Sequence, residues 1–176
     1  IFWLCVSTRS WFKGFEKYDF KLWQKSLNAN LASTFIVTQS VANYMLKRKK
    51  GSMINIASDV GVISPDHRIY EPNKKFNYKG VDFNTPISYA VAKSGIISMT
   101  RYLATRWAKR GIRVNCISPA GVYKGHEKKF VEQLSQRIPL GRMAKPHELN
   151  GAIIYLCSNA SSFVTGHNLI VDGGRT

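Results

Sequence analysis

Apolar residues recur at helical spacing in four stretches of the chain, and short β-type runs fall between them. From Asp19 to about Lys49, the residues Leu27, Leu31, Phe35, Val41 and Met45 fall near one face of a single long helix. Asp19 suits its N-cap, and Gly51 follows a basic last turn. Ser52 to Ala57 alternates briefly and runs into Ser58-Asp59-Val60-Gly61, which predicts a strand entering a loop. A second helix is predicted from about Ser88 to Arg110, with Ala92, Ile96, Met99, Leu103 and Trp107 on one face and Gly111 to end it. Arg113 to Ile117 then reads as a strand.

Between Pro119 and Pro146 the pattern predicts loops and one short amphipathic helix carrying Phe130, Val131, Leu134 and Ile138, in a region suited to a lid. Pro146 fits the first turn of a further helix with Leu149, Ala152, Ile153 and Leu156 on its buried face, and Asn168 to Val171 reads as a last strand. Strands alternating with helices imply a parallel sheet covered by helices, a partial Rossmann-like α/β arrangement. With 176 residues and 44% apolar composition, one domain over residues 1–176 with a single core is expected.

Charge and cysteines narrow the class. The formal charge of +16 would attract a polyanion, but the basic residues are spread along the chain without an arginine and aromatic pattern, so a solvated basic surface is expected ahead of nucleic-acid binding. No apolar run is long enough to span a bilayer, and a protein of the cytoplasm is expected. Cys5, Cys116 and Cys157 are far apart and in no metal-ligand spacing, so they are expected as reduced packing residues, with no metal site.

Candidate chemistry centres on Ser-Tyr-Ala-Val-Ala-Lys. Tyr89 and Lys93 lie one turn apart on one helix face, where an ammonium draws a phenol towards proton transfer at working pH from its reference of ~10. Ser58 sits just past the carboxyl end of a predicted parallel strand, where open α/β sheets place their ligands, and its hydroxyl can polarise a substrate carbonyl. Around these residues stand Ser-Leu-Asn-Ala-Asn30 in the long helix and, in order downstream, "GIRVNCISPAGV", "PLGRMAKPHEL" and "VTGHNLIVDGG".

From about residue 19 to the end, these motifs in this order resemble the short-chain dehydrogenase/reductases. The resemblance implies that Tyr89 is the acid/base and that Lys93 tunes it and holds a nicotinamide ribose. It further implies that Ser58 orients the substrate and that Asn30 anchors a proton-relay water, whereas Asn28 points elsewhere on the helix. Tyr89, Lys93, Pro119, Gly121 and Val122 would contact NAD or NADP; the family usually reads Pro-Gly where this chain has Pro119-Ala120-Gly121. Within the family, the flagellin-modification A type of sugar-related enzymes is the nearest flavour, on the strength of the last two strings and an enlarged gap between Ser58 and Tyr89. That gap carries His67, Arg68, Tyr70, Lys74, Lys75 and Tyr78, whose cations and rings suit a phosphorylated or nucleotide-linked sugar, although a solvated surface loop is an equal reading.

No G-x-x-x-G-x-G string occurs in the sequence, and Ile1 to Val6 is followed by Ser7-Thr8-Arg9 where the family places Asn-Asn-Ala-Gly. The expectation is a family member without its first third, whose isolated chain binds neither dinucleotide usefully. Two functions stay open. One is hydride transfer between a sugar-type alcohol and its ketone; the other is an inactive remnant acting as an oligomerisation or basic binding module. A homo-oligomer through the two long helices is expected in either case.

Overall fold

The computed structural model describes residue 11 and residues 13–70, 77–78, 81–82 and 84–176. The stretch Ile1 to Val6, with Cys5, lies outside the described residues.

Helix α1 (Phe20–Leu27) starts where the Asp19 carboxylate accepts the Lys21 N–H at 2.8 Å, which satisfies one of the donors a first turn leaves open. The chain does not continue as one α-helix. Asn28–Ala32 forms a π-helical segment before α2 (Ser33–Arg48) resumes. The extra residue in this turn displaces the i→i+4 ladder, and side chains satisfy its carbonyls. Asn30 Nδ2 donates to the Ser26 carbonyl at 2.9 Å, Ser33 Oγ to Ala29 at 2.6 Å and Thr34 Oγ1 to Asn30 at 3.3 Å. Helix α2 closes on Lys49, which itself takes the left-handed conformation at φ 51°, so Gly51 is free to open strand β1 (Gly51–Ile56) instead of ending the helix.

A two-stranded hairpin, β2 (Asn77–Tyr78) with β3 (Val81–Asp82), interrupts the stretch read as loop. Helix α3 (Ile87–Trp107) extends through the 3-10 turn Ala108–Arg110 to Gly111 at φ 72°, the expected stop. Strand β4 (Ile112–Pro119) follows. Next come α4 (Lys128–Ser135), capped by the Glu127 carboxylate on Phe130 N, and α5 (Asn150–Cys157) behind the 3-10 turn Pro146–Leu149. Strand β5 (Asn168–Val171) ends the series.

The main sheet is parallel in the order β1-β4-β5, with Gly51 opposite Ile112 and Cys116 opposite Asn168. Alternation along the strands sorts the layers. Met53 and Val114 face Ala42 of α2 and Ala104 of α3, while Ser52 Oγ and the Arg113 guanidinium reach the Leu156 carbonyl of α5 on the other face. Ile112, Val114, Cys116 and Ile117 are at most 1% exposed, and each buried branched side chain contributes about 1.5–3 kcal/mol of transfer free energy. The fold is therefore an α/β Rossmann-like sheet with helices on both faces. Cys116 is the expected packing residue, its thiol pushed up to about 11 by burial; Cys157 is instead exposed at the end of α5.

Candidate active site

The carboxyl ends of β1 and β4 and the first turns of α3 meet around a cavity of about 240 Å³. Ser58 enters it from the turn after β1, Tyr89 from α3, and Pro119 to Val122 from the end of β4. Two contacts fix α3 against β1. Lys93 Nζ donates to the Ile56 carbonyl at 2.9 Å, and Ser94 Oγ donates to the Gly61 carbonyl at 3.0 Å. Gly61 permits this approach, because a Cβ there would stand 2.8 Å from the Lys93 carbonyl carbon, closer than side chains tolerate. The Lys93 ammonium lies 5.5 Å from the centre of the Tyr89 ring, and the Trp11 ring lies 5.6 Å from it between centroids.

Ser58 and Tyr89 thus border one cavity, while Lys93 reaches past Tyr89 to the strand. Asn30 is 7% exposed in the π-helical segment, which packs on α3, and its amide is committed to Ser26. Ser26 in turn accepts from Ser88 Oγ at 2.7 Å, and Ser88 Oγ lies 2.7 Å from Tyr18 Oη, a buried hydroxyl chain tying α1 to the residue before Tyr89. Asn28 is exposed, as its place on the helix implies.

The residues singled out after Ser58 divide. Tyr70 is buried in the cavity wall, its hydroxyl 2.7 Å from Thr85 Oγ1 and its ring stacked on Phe130 of α4 at 5.7 Å. His67 lines an adjoining open cavity of about 730 Å³ with Lys13, Phe15 and Asn84. Arg68 is spent on Asp66, which it meets with two nitrogens at 2.9 and 3.0 Å. Arg137 from beyond α4 also meets Asp66 at 2.5 Å, so Arg68 first and Arg137 second hold this carboxyl well below the usual carboxylate range. Lys74 and Lys75 lie outside the described residues, as does the side chain of Tyr78.

Three cavity residues carry no signal at short sequence spacing. His126 sits between Tyr123 and Phe130, and burial, reinforced by Lys124, lowers its proton affinity. Asp59 and Arg175 form an ion pair with side chains 5% and 7% exposed, and Ser58 Oγ donates to Asp59 Oδ1 at 2.8 Å. Among the described residues no cluster of metal-ligating side chains occurs, and no helix is long and apolar enough to cross a membrane.

Comparison with known proteins bears on this geometry. Residues 77–176 match the family model for enoyl-(acyl carrier protein) reductase and residues 5–74 that for short chain dehydrogenase. A 3-oxoacyl-(acyl-carrier-protein) reductase of Thermotoga maritima is 36% identical over 86% of this chain and 56% of its own length. A ribulose-forming D-arabinitol 2-dehydrogenase of Scheffersomyces stipitis is 35% identical over 97% of this chain and 60% of its own. A short chain dehydrogenase of Leptospira borgpetersenii, solved with bound NAD+, superposes with a TM-score of 0.82 at 36% identity, over 94% of this chain and 60% of that one. The chain therefore spans little more than half the length of these relatives. With both family models matched in sequence order across the α/β sheet and its cavity, the chain belongs to the short-chain dehydrogenase/reductase family.

Proposed function

We propose that this chain carries the proton-transfer half of an NAD- or NADP-dependent oxidoreductase site acting on a sugar-type alcohol and its ketone. The observation that carries the reading is the arrangement of Ser58 and Tyr89 on one cavity with Lys93 pinned behind Tyr89 to Ile56. In it Tyr89 moves the proton at the reacting oxygen, Lys93 favours the phenolate, and Ser58 holds that oxygen. Asn30 acts from outside the cavity wall by shaping the π-helical turn against α3, with any relay running through solvent held there. Residues 1–176 form one partial domain of the family in this reading.

The residues fit one end of the dinucleotide. A cavity of about 240 Å³ is below the range of drug-sized pockets, and in this reading it receives the nicotinamide end beside a small alcohol. Lys93, Tyr89 and the wall of Pro119, Gly121 and Val122 would hold that end, and the bound cofactor supplies hydride transfer. Polyols such as the D-arabinitol of the matched dehydrogenase are the favoured substrates. A nucleotide-linked sugar of the flagellin-modification type would reach the larger cavity at His67. Exposed Phe35, Ile36, Val37, Val41 and Tyr44 on α2 support a homo-oligomer, which light scattering of the native chain and a Phe35→Glu variant would distinguish from a monomer.

The test is reduction of D-ribulose by NADH or NADPH at millimolar concentration. Turnover that falls roughly 10²–10⁴-fold in Tyr89→Phe supports the reading. Turnover indifferent to Tyr89, or absent, overturns it.

A further inference from the structure

The Ser58 hydroxyl is already in use. Its hydrogen goes to Asp59 Oδ1 at 2.8 Å, the same oxygen accepts the Val60 N–H at 2.8 Å, and Oδ2 is held by Arg175. Arg175 arrives by a shaped turn: Asp172 accepts the Gly174 N–H at 2.8 Å and the Thr176 N–H at 2.6 Å, with Gly173 and Gly174 at φ 69° and 92°. Ser58, Asp59 and Arg175 all border the cavity that Tyr89 faces.

A serine hydroxyl has one hydrogen and two lone pairs. With the hydrogen on Asp59, Ser58 offers the cavity lone pairs alone, which accept from an alcohol O–H and give nothing to a ketone oxygen. Turning the hydroxyl towards a ketone would strip a donor from a carboxylate that is 5% exposed, and buried acceptors left short of donors are costly. Arg175 makes this arrangement persistent, since without it Asp59 would be a buried, uncompensated charge.

We propose that Asp59 and Arg175 are positioning residues that make Ser58 a hydrogen-bond acceptor, so that the site selects the alcohol over the ketone form of its substrate. This rests on the reading of Ser58 as the group that holds the reacting oxygen.

The test is ligand-observed NMR titration of the full chain with D-arabinitol and with D-ribulose, which needs no cofactor. The native chain is expected to bind the alcohol more tightly, and Ser58→Ala to lose that preference. Replacing the pair together, Asp59→Leu with Arg175→Met, removes both charges at similar volume and frees the hydroxyl, so the affinity ratio should move about three- to tenfold towards the ketone. A melting curve establishes that the double variant is folded. A folded double variant with an unchanged ratio overturns the positioning role while leaving Ser58 in the site. Where the double variant does not fold, tighter native binding of the ketone, or a preference that survives Ser58→Ala, overturns it. Affinities for both ligands untouched by Ser58→Ala, or no saturable binding, would bring down the functional reading itself.

Discussion

The Lys93 ammonium donates to the Ile56 carbonyl at 2.9 Å, joining the first turns of α3 to the last residue of β1 one step before the site loop begins. The contact holds the charge 5.5 Å from the Tyr89 ring centre, the place the proposed acid–base role requires of it. Lys93→Met is expected to lower turnover roughly 10²–10⁴-fold while leaving the melting temperature nearly unchanged. A variant that turns over substrate within about threefold of the native rate, on the scale of acid–base contributions, would remove Lys93 from the acid–base assignment.

Gly61 bears the packing of the Ser58 turn on α3. Adding one methyl group there puts it 2.8 Å from the Lys93 carbonyl carbon and 3.0 Å from Ser94 N, and backbone cannot step aside as a flexible side chain can. Gly61→Ala should cost about 1–3 kcal/mol in a urea melt, and move Ser58 away from Tyr89, so that turnover drops more than stability alone explains. Equal losses in Gly61→Ala and in Gly151→Ala, a position with open space around it, would argue against a close approach.

Asp66 fastens the segment after β1 to the region of α4 through Arg137, alongside the Tyr70 and Phe130 stack. Because Arg68 and Arg137 depress its proton affinity in the folded state, its contribution is present in full above the unfolded value of ~3.9 and is lost as pH falls through the lower folded one. Asp66→Asn is therefore expected to lose on the order of 1 kcal/mol at about pH 7, with the gap to the native chain closing below about pH 3. Urea melts at the two pH values check it; a gap that widens in acid would contradict the clasp.

The sheet and the two catalytic candidates on α3 were legible because both depend on short periods. Leu27, Leu31 and Phe35 mark one helix face, Tyr89 and Lys93 share another, and Ser58 follows a strand whose end the alternation locates. What lay hidden depends on contacts of no fixed spacing. The π-helical turn is accompanied by side-chain bonds of Asn30, Ser33 and Thr34 to backbone carbonyls, and no apolar period reports it. The hairpin strands are two residues each, too short to show alternation. Asp59 meets Arg175 across 116 positions, and Arg137 meets Asp66 across 71, so each partner read alone is one more surface charge. The sequence leaves Arg68 open between a phosphate ligand and a residue of a solvated loop, and its contact with Asp66, two residues away, forms where the chain turns at His67.

These 176 residues are expected to recognise only one end of a dinucleotide. Pyrophosphate is held in this fold class by N–H groups at an open helix N-terminus behind a glycine turn. Among the described residues, α1 and α4 begin on the carboxylates of Asp19 and Glu127, each of which already takes one of those N–H groups and repels a phosphate, α3 begins after Pro86 with no glycine in its first turn, and α5 runs straight on from the 3-10 turn Pro146–Leu149 instead of opening behind a glycine turn. The cavity at Ser58 and Tyr89, at about 240 Å³, is smaller than drug-sized pockets, and in the proposed reading it takes the nicotinamide end. The adenosine half should then add little: NAD+ and nicotinamide mononucleotide are expected to bind this chain within about tenfold of each other, a difference of ~1.4 kcal/mol, and each no tighter than about 1 mM. The +16 charge will attract either phosphate at low ionic strength, so the comparison belongs at physiological salt, where the Debye length is ~8 Å. Calorimetric titration with NAD+, NADP+ and the mononucleotide is the measurement. NAD+ binding a hundredfold tighter than the mononucleotide, at ~2.7 kcal/mol, would mean that the chain builds a pyrophosphate cradle from residues other than these helix starts.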